Sequence, residues 1–103
     1  MADTSHVPGD SQMPPTERAA RALCEADGNP ADLMMGAQPM WKSYLPKVRI
    51  VLEAIHEPND RMSEAGGQVM RYLGREESLE AYKQDADNVW RLMVDAAKID
   101  LIH

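Results

Sequence analysis

Phenylalanine is absent from this chain, aromatic residues make up 5% of it, and one cysteine stands among its 103 residues. Each shortage excludes something. Without phenylalanine, core volume has to come from aliphatic side chains and eight methionines, which are flexible fillers. The lone Cys24 has no partner for an internal disulfide and lacks the paired Cys or His spacing of a zinc site, so on a helix it reads as a small buried hydrophobe. No apolar run approaches the roughly 20 residues of a membrane span, and the first residues lack the basic start and apolar stretch of a signal peptide. The expected location is therefore cytoplasmic, with no membrane contact.

Basic residues are also scarce, with 11 Lys and Arg against 17 Asp and Glu and a net charge of −6. A phosphate backbone is held by clustered cations. Here the closest groups, Lys47 with Arg49 and Arg71 with Arg75, are diluted by carboxylates, so direct nucleic-acid binding is not expected. The acidity instead favours a partner protein with a basic surface, through electrostatic steering.

What is present is helical periodicity. Trp41, Tyr44, Leu45, Val48, Val51, Leu52 and Ile55 recur at steps of three and four, which places them on one helical stripe and predicts a core face. This helix is expected to start near Ser43, with Pro46 in its first turn where the missing N–H costs nothing, and to end before Pro58. Residues 1–15 hold three prolines and little apolar matter and read as a disordered tail. Pro15 and Thr16 then start a short helix over Glu17–Ala26 with Ala19, Ala20, Leu23 and Ala26 facing inward, stopped by Asp27, Gly28, Asn29 and Pro30.

Residues 31–40, with Leu33, Met34, Met35 and Met40 among Gly36 and Pro39, read as a connector or single turn with apolar anchors. Asn59 is a cap for a third helix to about Leu73, with Met62, Ala65, Val69, Met70 and Leu73 on one face and Gly74 as terminator. Inside it, Gly66 and Gly67 cost about 1 kcal/mol each relative to alanine, which points to a close helix contact or a kink. Ser78 caps a fourth helix to about Ile99, along which Leu79, Tyr82, Ala86, Val89, Trp90, Met93, Ala96 and Ala97 keep the same rhythm. The pattern predicts an all-α fold, a small antiparallel bundle of three to four helices over 16–103 forming a single domain, with Trp41 and Trp90 both largely buried.

Catalytic patterns are not found. His6, His56 and His103 are scattered, no serine sits in a Gly-x-Ser-x-Gly turn, and Gly66-Gly67 is not followed by the Lys-Ser/Thr of a phosphate loop. No catalytic residue, metal or cofactor is expected, and His56 reads as a helix-end residue favoured by the dipole. Two groups remain as candidate partner-binding residues. One is the acidic start of the fourth helix, Glu76, Glu77, Glu80, Asp85 and Asp87, which is either a solvated face complementing the helix dipole or a surface for a basic partner. The other is Met34 and Met35, either gap fillers or part of a binding surface.

The segments Ala20-Arg21-Ala22-Leu23, Trp41-Lys-Ser-Tyr44-Leu45-Pro46, Leu52-Glu53-Ala54-Ile55-His56-Glu57-Pro58 and Trp90-x-x-Met93-x-Asp95-Ala96-Ala97 together resemble small proteins encoded by phages and prophages of alphaproteobacteria. The chain departs from that pattern in having His56 for an arginine and Asn59 for a threonine, and asparagine caps as well as threonine. These are packing and turn motifs, so the resemblance implies a setting, the cytoplasm of a bacterial host, and brings no catalytic residue. It implies a non-enzymatic, protein-binding phage module that occupies or inhibits a host or phage protein, an anti-CRISPR or related anti-defence role being its most concrete version. The alternative is a minor virion structural or assembly protein, and a homo-oligomer stays open.

Overall fold

The computed structural model describes residues 13–73 and 78–101. The expected tail up to residue 12, the terminator Gly74 and two of the candidate acids, Glu76 and Glu77, lie outside the described residues. Within them the chain is a small all-α protein with one minor ribbon. Its elements are α1 (Pro15–Ala26), β1 (Met34–Met35), β2 (Gln38–Pro39), a 3-10 helix (Met40–Tyr44), α2 (Leu45–Ala54), α3 (Asp60–Leu73) and α4 (Leu79–Ile99). The described residues gather into two compact units, 13–51 with 97–101 and Leu52–Ala96.

In the first unit, Pro15 sits at the first helical position of α1, where its fixed φ suits the helix and no donor is lost. The helix stops in a Schellman turn. Gly28 takes φ +86, its N–H reaches the Glu25 carbonyl, and the Asn29 N–H reaches that of Cys24. The buried face is Thr16, Ala20 and Cys24, so of the residues expected inward Ala20 is enclosed, while Ala19, Leu23 and Ala26 are exposed. Small groups at i, i+4 and i+8 let the 3-10 helix come close, and that contact selects the face.

The expected connector folds into a two-residue antiparallel ribbon, Met34 opposite Pro39 and Met35 opposite Gln38, turning at Gly36 with φ +67. It is too short to show alternation in sequence. The stripe from Trp41 to Ile55 is likewise corrected. Trp41 and Tyr44 lie on the 3-10 helix, whose three residues per turn break the 3.6-residue period that the stripe assumes. Tyr44 and Val48 are buried, Trp41 is half-buried, and Val51 and Ile55 are 51% and 41% exposed.

In the second unit, Asn59 caps α3 by accepting the Met62 N–H at 2.9 Å, and Ser78 caps α4 by accepting the Ala81 N–H at 3.1 Å. The two helices run antiparallel, since Ser63 meets Asp87, Gly66 meets Ala86 and Gly67 meets Lys83. At the crossing the glycines act by what they omit: a Cβ on Gly66 would stand 2.6 Å from the Ala86 Cβ, and one on Gly67 would stand 3.0 Å from the Lys83 side chain. The buried Ser63 donates to Asp87 and so leaves no polar group stranded.

Tyr82 of the expected α4 stripe is buried, but because α3 meets α4 through Ser63, Gly66 and Gly67, several other apolar side chains expected to face inward stand at the margin. Ala65 is exposed, Met62 and Val69 are 39% and 58% exposed, and on α4 Val89 and Met93 are 43% and 64% exposed. Trp90 is half-buried, not enclosed as its place on the stripe predicts.

Candidate functional site

The margin of the α3–α4 contact is a groove of about 320 Å³. Gly66 and Ala86 form its floor, Met62, Val69 and Met70 one wall, and Val89, Trp90 and Met93 the other, with Pro58 at one end. The floor is deep because two residues with no side chain, or a single methyl, meet there. Asp87 is the one ionisable group in this lining, and its carboxylate is occupied by the Ser63 hydroxyl. The groove therefore offers contact area and shape, and three of its wall residues are methionines, whose flexible thioethers adapt to differing partners.

Trp90 is the rigid part of the wall. Its indole N–H donates to the Ile55 carbonyl at 2.8 Å, which fixes the ring's orientation. The turn supplying that carbonyl is itself tied to α4. The Arg91 guanidinium donates to Glu57 from Nε at 3.0 Å and Nη2 at 2.9 Å, and His56 has Nδ1 2.9 Å from Glu57 and Nε2 3.0 Å from Asp95. The Arg91 hydrogen bond, followed by that of His56, holds the Glu57 carboxyl below the usual carboxylate range, and Glu57 in turn raises the Arg91 guanidinium. His56 is thus a link between the turn and α4, not the isolated helix-end residue expected.

Of the candidate acids, Glu80, Asp85 and Asp87 fall among the described residues. Glu80 is exposed beside Lys83 at 3.6 Å, Asp85 is exposed, and Asp87 is half-buried against Ser63. Positions 80 and 87 are seven residues apart and share one side of α4, while 85 is turned well away from both. Met34 and Met35 are each 57% exposed, on the ribbon of the first unit.

That unit has a wider hollow of about 500 Å³ beside Trp41, lined by a mixture including Thr16, Glu17, Gln38 and Lys42. Several charges beside it engage their neighbours. Arg21 pairs with Glu17 and Asp32, both at 2.9 Å, and Arg21 and Lys42 lie over the Trp41 ring at 5.2 and 5.8 Å. Nearby, the Tyr44 hydroxyl donates to Asp27 at 2.7 Å and accepts from Asn29 at 3.1 Å, and the Asp27 bond raises the phenol above its ordinary value. Cys24 is buried as expected, and burial pushes its thiol up, which makes it a poor nucleophile.

Among the described residues no group of three or more His, Cys, Asp or Glu is placed to hold a metal ion, and no helix is long and apolar enough to cross a membrane. Comparison with protein-family models, curated proteins and solved structures finds no match to this chain.

Proposed function

We propose that this chain is a non-enzymatic protein-binding module that works by occupying another protein. In the phage setting that its sequence pattern implies, the partner belongs to the bacterial host, and inhibition of a CRISPR-Cas or other defence complex is the most concrete form of this reading. The observation that carries it is the open α3–α4 groove. A 103-residue chain has little apolar matter to spare, yet Met62, Val69, Val89 and Met93 stand 39–64% exposed around a continuous apolar floor. Contiguous exposed patches of this kind mark interaction sites in soluble proteins.

The test is affinity capture from host lysate with the parent, a Val69→Asp variant and an Asp85→Asn variant. Both substitutions fall on exposed positions, so folding should be intact by circular dichroism. The parent and Asp85→Asn should recover a stoichiometric partner and Val69→Asp should not. Equal recovery by Val69→Asp moves the binding surface away from the groove, and recovery of nothing above background by the parent defeats the reading. Exposure of Met34 and Met35 on the ribbon favours a second reading, a minor virion component that adds these side chains to a neighbouring subunit. Mass spectrometry of purified particles separates the two, because an inhibitor is absent there or present in traces.

A further inference from the structure

Resting on that reading, we infer that the occupant of the groove is an amphipathic helix of the partner, inserting two bulky aliphatic or aromatic side chains one or two turns apart. Size comes first. A cavity of roughly 150 Å³ holds one benzene-sized group, so the 320 Å³ here takes two such side chains and not four. Their spacing follows from the walls. Met62 and Val69 are seven residues apart on α3, about 10 Å along the axis, and Val89 and Met93 are four apart on α4, about 6 Å. Anchors at i and i+4, or i and i+7, of a helix lying along the hairpin fall within that length.

Backbone chemistry separates a helix from an extended strand. Both walls are α-helices whose main-chain groups bond internally, and the lining offers apolar side chains with Asp87 already engaged. An extended segment pressed into this groove would lose water from N–H and C=O groups and find no replacement, and each buried group left stranded weakens binding. A helix satisfies its own backbone and presents only side chains.

Area argues against a second copy of this chain. The four exposed wall side chains present on the order of a few hundred Å², the size of an ordinary functional patch. A stable dimer needs about 800 Å² from each partner. The groove matches the footprint of one helix face and falls short of a self-interface. Trp90 is held by the Ile55 carbonyl, while Met62 and Met93 near it and Met70 farther along α3 are adaptable, so the anchor that touches the Trp90 ring should be the more specific of the two.

The experiment selects binders from a displayed library of random 16-residue peptides on the parent protein, with depletion on Val69→Asp. Enriched peptides should share bulky apolar residues at i,i+4 or i,i+7, gain helical circular dichroism on binding, and lose about tenfold or more in affinity for Val69→Asp. A Trp41→Phe background leaves Trp90 as the sole tryptophan, and its emission should shift to the blue on binding. Affinity should change little with salt, since the lining is apolar. Enrichment of apolar residues at alternate positions, or no Val69-dependent enrichment, overturns the helical occupant; a concentration-dependent dimer by sedimentation, lost in Val69→Asp, replaces it with a second copy. Each of these leaves the lysate capture to judge protein binding independently.

Discussion

At the residue scale, the group that most changes with conditions is Glu57. Hydrogen bonds from Arg91 and then His56 hold its carboxyl below the ordinary range. A carboxyl with a lowered folded pKa stabilises the fold above its unfolded value, about 4.3, and that contribution disappears as pH falls through the folded value. The parent should therefore lose more melting temperature than Glu57→Gln between about pH 6 and pH 3, as thermal scans followed by circular dichroism would show. If the two lose stability in parallel, the Arg91 contact contributes nothing to folding, as many exposed ion pairs do. His56 lies in the same cluster, with one ring nitrogen against Glu57 and the other against Asp95. Its role was not legible in the sequence. Nothing local to positions 56 and 57 announces Arg91 or Asp95, more than thirty residues away.

At the element scale, the ends of the helices were legible and their orientations were not. Asn59, Ser78 and Gly28 act on their own neighbours, within five residues, so each signal reads directly from sequence. Which side a helix buries depends on what it meets, and the apolar stripe of α3 led to the wrong side. The informative residues were Gly66 and Gly67, whose missing side chains fix the contact line and so push Met62 and Val69 to its edge. Gly66→Ala tests this directly. Helix propensity alone favours alanine by about 1 kcal/mol, but the new methyl would stand 2.6 Å from the Ala86 Cβ, which has no rotamer to yield. Overpacking costs typically 1–3 kcal/mol, so the variant should melt below the parent. A higher melting temperature would show that the helices separate at no cost. In the double variant Gly66→Ala/Ala86→Gly the space is restored, and part of the lost stability should return.

At the scale of the whole molecule, the net charge of −6 suggested the acidic start of the fourth helix as a surface for a basic partner. Within the described part of that group, Glu80 pairs with Lys83 and Asp87 accepts from Ser63, while Asp85 is exposed. Composition points to a second surface. A chain with no phenylalanine and eight methionines has to build its surfaces as well as its core from thioethers, and Met62, Met70 and Met93 gather in the groove. That choice ties the groove to oxidant chemistry. Conversion of a thioether to the sulfoxide replaces an adaptable apolar group with a polar one, and reductases reverse it. Peroxide treatment should then abolish peptide binding while leaving far-ultraviolet circular dichroism unchanged. A variant with Met62, Met70 and Met93 replaced by leucine, a swap of similar volume that usually costs less than about 1.5 kcal/mol each, should keep binding after the same treatment. A module built this way would let go of its partner during an oxidative burst and take hold again once its methionines were repaired.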